Sequence, residues 1–195
     1  MSSVNIVYDE VNNKYIAQPK IENSAGGSSA VSLLDLNKTG VCYSVSSIYQ
    51  DYDGSTAGSS AKDFMSFYNP TGSGKNVYIH NISAIKSTNN TSEMTFRIHK
   101  LTGTPTSGTD LSSVNMNFSS VNTSIIEAKY IPTMAYDDTI EIDTFLVSSD
   151  TTHHFSNDLR EMIILPPNTG IALTCFYGSS NIEHKLTIKY YEEDI

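Results

Sequence analysis

Tryptophan is absent from this 195-residue sequence, and cysteine occurs only twice, as Cys42 and Cys175. Two cysteines so far apart cannot form the disulfide framework that stabilises small secreted domains. A chain of this length can bury most of its unfolded surface in one hydrophobic core without such crosslinks. We therefore predict that both thiols are buried and reduced.

Basic residues are also scarce, because 12 Lys and Arg stand against 21 Asp and Glu, which gives a formal net charge of −9. A surface that neutralises nucleic-acid phosphates needs clustered Lys and Arg, so we expect no nucleic-acid partner. No apolar run reaches the roughly 18 residues of a membrane-spanning helix, and no basic and apolar secretory signal opens the sequence. We expect that the chain does not insert into a membrane and that it folds in the compartment where it is made.

What the sequence does contain is a series of short strands bounded by Gly- and Pro-rich turns. Residues 94–100 alternate between apolar and polar, which predicts a strand with one buried and one solvated face. The inward side chains would be Met94, Phe96 and Ile98, and the outward ones Thr95, Arg97 and His99. Further strands are predicted at residues 41–49, 77–85, 124–130, 139–143, 171–177 and 185–191, the last with Leu186, Ile188 and Tyr190 inward. About eight such strands predict an all-β jelly-roll sandwich.

The first forty residues differ in composition from the rest of the chain. We predict that residues 1–40 form an extended arm and linker and that residues 41–195 form the sandwich domain. Val4, Ile6 and Tyr8 follow one another at intervals of two residues, a spacing that suits strand addition to a partner. Residues 28–40 could form a short helix that ends at Gly40, or could lie extended along the sandwich.

The segment Gly72-Ser-Gly-Lys75 contains the Gly-Lys pair of a phosphate-binding loop. Asn69 and Asn76 stand where that loop needs a glycine and a serine or threonine. The segment also precedes a predicted strand, whereas phosphate is held at the N-terminus of a helix. A hairpin turn is the better interpretation.

Histidines and carboxylates provide the other candidates for chemistry. His153 and His154 would point to opposite faces of a strand, so one chain is not expected to chelate a metal with both, although a site on a threefold axis stays open. The carboxylates group at Asp51 and Asp53 and at Asp137, Asp138, Glu141 and Asp143. We interpret them as solvated loops and edges, with structural calcium or a glycosidase pair as alternatives. We predict no catalytic, cofactor or metal site, and therefore no enzyme.

Two turns and the end of the chain resemble a known group of proteins. The turns are Asn69-Pro-Thr-Gly-Ser-Gly-Lys75 and Ile164-Leu-Pro-Pro-Asn-Thr-Gly170, and the end is a strand at residues 185–191 followed by an acidic terminus. Over residues 64–191 the chain resembles small jelly-roll structural proteins of tailed bacteriophages. The resemblance implies a virion protein assembled in the host cytoplasm, which decorates the capsid or forms a head fibre. It further implies a homotrimer whose arm binds capsid or tail proteins of the same virion.

A second class of function is a tail-associated receptor-binding or glycan-binding module, since jelly rolls also occur in lectins. Four tyrosines at or beside predicted loops could stack on host-surface sugars, namely Tyr49, Tyr52, Tyr136 and Tyr177. They could equally pack beneath those loops. The sequence leaves both possibilities open.

Overall fold

A computed structural model describes residues 5–9, 14–18, 33–47, 50–52, 62–86, 94–147, 153–155, 163–177 and 182–195. The chain forms two compact units, Met1–Val31 and Ser32–Ile195. In the first unit, β1 (Asn5–Asp9) and β2 (Lys14–Gln18) pair as an antiparallel hairpin. This hairpin stands where the sequence predicted an extended arm.

The second unit contains one short helix and a long series of strands within its described residues. The helix α1 spans Leu33–Thr39. The strands are β3 (Cys42–Ser46), β4 (Gln50–Tyr52), β5 (Lys62–Asn69), β6 (Lys75–Lys86), β7 (Met94–Leu101), β8 (Thr109–Leu111), β9 (Val114–Asn115), β10 (Glu127–Tyr130), β11 (Tyr136–Val147), β12 (His153–Phe155), β13 (Ile163–Leu165), β14 (Thr169–Tyr177) and β15 (Ile182–Asp194).

These strands form two antiparallel sheets. The first sheet has the order β11-β7-β14-β5-β10-β8, and the second has the order β12-β6-β15-β3-β9. In the second sheet β13 and β12 pair with successive parts of β6, and β3 and β4 pair with successive parts of β15. The prediction of an all-β sandwich is confirmed at this level.

The hydrophobic core lies between the two sheets. The ring of Phe67 on β5 packs edge-on against Tyr190 on β15, with 4.8 Å between ring centroids, and so joins one sheet to the other. Of the inward side chains predicted for β7 and β15, five are buried, namely Phe96, Ile98, Leu186, Ile188 and Tyr190, while the side chain of Met94 lies outside the described residues. Cys42 and Cys175 are buried thiols without a disulfide, as predicted.

The helix α1 ends where the sequence allowed it to end. Gly40 adopts a positive φ of 74°, and its N–H donates to the carbonyl of Asn37 at 3.0 Å. A residue in this left-handed conformation is the usual end of a helix, and glycine adopts it without steric cost. The helical alternative for residues 28–40 is therefore the one realised, over Leu33–Thr39.

One strand of the first sheet was not predicted. In β5, every residue from Phe64 to Asn69 is buried, so its sequence shows no alternation of polar and apolar side chains. Strands covered on both faces lose the period of two on which the prediction depended. The short strands β4, β8, β9, β12 and β13 were also missed.

The connection between β7 and β11 is long and crosses from one sheet to the other. This crossing segment, residues 102–135, places β8 and β10 at the end of the first sheet and β9 at the end of the second. We call this end of the sandwich the closed edge. The opposite end, formed by β11 and β13, is called the groove edge.

Candidate interaction surfaces

The closed edge is held to the sandwich by a buried carboxylate on the last strand. Glu192 is 2% exposed, and its Oε1 accepts hydrogen bonds from Ser124 Oγ at 2.7 Å and from the backbone N–H of Ile125 at 3.0 Å. Its Oε2 lies 3.3 Å from Lys75 Nζ. One residue of the acidic end of the chain therefore has a structural role, because Glu192 joins the crossing segment to β15 by hydrogen bonds.

The neighbouring Tyr190 extends this network into the core. Its hydroxyl donates to Ser113 Oγ at 2.5 Å and lies 2.7 Å from Ser124 Oγ. Burial, which outweighs the two serine hydrogen bonds, raises the pKa of Tyr190 far above its usual value. The tyrosine therefore stays neutral and serves as a second attachment point for the crossing segment.

The crossing segment carries a loop that presents apolar side chains to solvent. In this Phe118 loop, residues 116–123, Phe118 is 90% exposed and Val121 is 94% exposed. The loop backbone is nevertheless well ordered by hydrogen bonds. Asn117 accepts from the N–H of Ser119 at 3.1 Å and donates to the carbonyl of Lys38 at 3.2 Å. Asn122 donates to the carbonyl of Gly40 at 3.2 Å. Exposed apolar side chains on a fixed backbone are typical of an interaction surface.

The groove edge provides a second apolar surface. Ile140 and Ile142 on β11 and Ile164 on β13 are 55%, 43% and 53% exposed. Together with Ile163 and Ile171 they line a cavity of about 400 Å³, which we call the edge groove. Among the described strands, β11 pairs on one side only, with β7. An uncovered strand edge beside apolar side chains is a surface that other chains can bind.

The outer face of the first sheet is covered where the sequence predicted it to be solvated. His99 points away from the main core, as predicted, yet it is only 2% exposed. Its Nε2 lies 3.3 Å from Thr174 Oγ1, and its ring lies 4.9 Å from the ring of Tyr136. The end of the crossing segment forms this cover, and the N–H of Met134 donates to Asp63 Oδ2 at 3.2 Å. The prediction of a wet face was wrong at His99.

Tyr136 is a structural part of this cover. It is half-buried, and it packs beside Met134 against a small cluster that contains Tyr68, Leu101 and Ala172. Burial, the charges of Asp63 and Asp138 and a hydrogen bond to Asp63 raise the pKa of Tyr136 to about 12. Because the ring of Tyr136 packs against the ring of His99, the geometry supports packing within the protein over stacking on a sugar.

The structure places the remaining predicted site residues as follows. Ile6 and Tyr8 lie on β1, opposite Ala17 and Tyr15 of β2, while Val4 lies outside the described residues. Tyr52 is the last residue of β4 and Tyr177 the last residue of β14, whereas Tyr49 also lies outside the described residues. The Phe118 loop and the edge groove were not singled out in the sequence, although the uncharged run of residues 111–126 is visible there.

The acidic residues of β11 make local contacts. Asp137 Oδ1 accepts from Thr139 Oγ1 at 2.6 Å and from its N–H at 2.9 Å, and these bonds lower the pKa of Asp137. Glu141 lies 3.4 Å from Arg97 Nε. In the part of the chain that the structure describes, no three His, Cys, Asp or Glu side chains gather as a metal site would require. In the same part, no helix is long and apolar enough to span a bilayer.

Protein-family models, curated proteins and solved structures give no match to this chain. The resemblance to phage structural proteins therefore stays a prediction. The arrangement of the described residues is what distinguishes possible functions, and its most distinctive features are the Phe118 loop at the closed edge and the edge groove at the other end.

Proposed function

We propose that this chain is a non-enzymatic structural component of a tailed-bacteriophage virion, displayed on the particle as a jelly-roll decoration or head-fibre protein. The observation that carries the proposal is the order of the strands. The eight main strands are β3, β5, β6, β7, β11, β12 and β13 counted as one, β14 and β15. Numbered 1 to 8 in this order along the chain, they have the order 1-8-3-6 in the second sheet and 2-7-4-5 in the first. Strands 1 and 8, 2 and 7, 3 and 6, and 4 and 5 are then neighbours. This order supports the proposal, because a long hairpin rolled into two sheets, the jelly roll of viral capsid proteins, would have the same neighbours.

A second observation supports the resemblance on which the virion assignment rests. The two turns that carry it, residues 69–75 and 164–170, contact each other. The buried side chain of Asn69 donates from Nδ2 to the carbonyls of Lys75 and Leu165, both at 2.8 Å. Asn168 returns the contact, since its N–H donates to the carbonyl of Asn69 at 2.9 Å. Residues of the two turns are thus hydrogen-bonded to each other at one corner of the sandwich.

In this proposal the first unit supplies attachment to the particle. Met1–Val31 is the first of the two compact units of the chain, which suits an anchor that binds a capsid or tail protein. Deletion of residues 1–22 should abolish association with particles and leave the thermal unfolding of the sandwich unchanged. Normal incorporation of the truncated protein would contradict an N-terminal anchor.

Immunogold electron microscopy tests the proposal directly. Antibody raised against the recombinant protein would be applied to phage particles from lysates of the source. Gold distributed over heads would support a decoration or head-fibre protein. Gold confined to tails would favour receptor binding, the alternative predicted from the sequence. Absence of gold from every particle, in a lysate that contains the protein, would overturn the virion assignment.

A further inference from the structure

We infer that copies of this chain associate head to tail, with the Phe118 loop of one copy inserted into the edge groove of the next. Both contacting surfaces belong to the sandwich, so this contact is independent of the virion proposal.

The positions of the two surfaces exclude contact within one copy. The Phe118 loop follows β9, which is the last strand of its sheet, whereas the edge groove lies beside β11 and β13 at the other end. The sheets stand between them. A loop at one edge and a cavity at the opposite edge can meet only between two copies, and such a contact joins unlike surfaces.

The chemistry of the two surfaces is matched. Residues 111–126 contain no charged side chain, although the whole chain carries a net charge of −9 that makes copies repel one another. Among the described residues, the edge groove is lined almost entirely by aliphatic groups, with Lys100 the one charged residue. Its volume of about 400 Å³ is large enough to admit a phenyl ring. Two nearly uncharged apolar surfaces thus offer the route by which acidic copies can approach.

The fixed backbone of the Phe118 loop lowers the cost of association. Hydrogen bonds from Asn117 and Asn122 hold the loop to the end of α1 in the free chain, so little conformational freedom remains to be lost on binding. A buried aromatic side chain that fills a pocket is the usual centre of a protein interface. Phe118 would be that centre, with Val121 beside it.

Sedimentation velocity on the full chain tests the inference with two variants, Phe118→Asp and Ile164→Asp. Both side chains are mainly exposed, so the substitutions disturb the surface and leave the core intact. Wild-type protein should sediment as an oligomer, and each variant alone as a monomer. The matched control is Ile195→Ser, which changes a side chain that is 76% exposed outside both surfaces and should leave the oligomer unchanged.

An equimolar mixture of the two variants gives the decisive result. Phe118→Asp retains an intact edge groove and Ile164→Asp retains an intact Phe118 loop, so the mixture can form one productive contact. We expect a complex of two chains and nothing larger. A monomeric wild-type protein, an oligomer that persists in either variant, or a mixture that stays monomeric would each overturn the inference.

A chemical crosslink provides an independent measurement. The double variant Phe118→Cys, Ile142→Cys should form disulfide-linked oligomers under mild oxidation, while each single variant should give no ladder of linked chains. The native thiols interfere little, because both are buried and burial raises the pKa of Cys175 to about 12. Absence of crosslinked chains in the double variant would contradict the proposed contact.

Discussion

At the closed edge the crossing segment adds strands to both sheets and buries a carboxylate, whereas at the groove edge β11 and β13 leave isoleucines in contact with solvent. Polar anchoring and apolar exposure are thus separated on the two ends of one sandwich. A strand edge can be covered by the chain itself or by a partner. The comparison suggests that this protein uses the first solution at one end and the second at the other.

The largest expected effect is at the anchor of the closed edge. Glu192→Ala would remove the acceptor of the Ser124 hydroxyl and of the Ile125 N–H, two half-buried groups that now bond to a buried carboxylate. Two hydrogen bonds to a buried charged group suggest a loss of about 3 kcal/mol in the free energy of unfolding. Urea denaturation would measure this loss.

Asp194→Ala is the matched control for the anchor. Asp194 lies 4.0 Å from the same Lys75 Nζ, but its side chain is 91% exposed. An exposed ion pair contributes little, so we expect a change of no more than about 0.5 kcal/mol. Equal effects of the two substitutions would show that Glu192 is not a specific anchor.

A smaller effect is expected where α1 meets the Phe118 loop. Gly40→Ala would place a methyl group in steric conflict with the side chain of Ser120 and would also strain a residue with a φ of 74°. Strain of this kind costs about 1–2 kcal/mol, to which displacement of the loop would add. Thermal unfolding and the oligomeric state should both change.

Gly72→Ala separates strain from displacement. Gly72 has a similar φ of 79°, but nothing lies within 4 Å of the added methyl group. This variant should lose stability from strain alone and keep the wild-type oligomer. If the two glycine variants behaved alike, the contact between Gly40 and the loop would have no role in association.

The smallest effect is a pH dependence at the groove edge. His80 lies on β6 between the residues that pair with β13 and with β12. Burial, with the charge of Lys189, lowers the pKa of His80 from its usual value of 6.5. As the pH falls, His80 is therefore protonated in the unfolded chain before it is protonated in the folded chain. The contribution of His80 to stability is complete above pH 6.5 and falls as the pH drops below 6.5. His80→Gln should flatten the fall between about pH 7 and pH 5 in urea denaturation. An unchanged slope would contradict this role.

Several features could be predicted from local sequence pattern. Alternation along β7 and β15 correctly identified buried residues such as Phe96 and Ile188, because a strand with one covered face imposes a period of two. Gly40 was a correct helix end, because the left-handed conformation there favours glycine for reasons internal to the chain. The burial of both thiols was also predicted correctly from the sequence.

The sequence by itself thus determined that the chain folds as an all-β sandwich and which face of its clearest strands lies inward, since both depend on residues a few positions apart. Only the tertiary structure decided that β5 is buried on both faces, that His99 is covered and that Glu192 lies in the interior. Each of these depends on the crossing segment or another distant strand folding over the residue concerned. Phe118 and the edge groove lie at opposite ends because the order of the strands depends on pairing between distant segments. No local period in the sequence encodes that pairing.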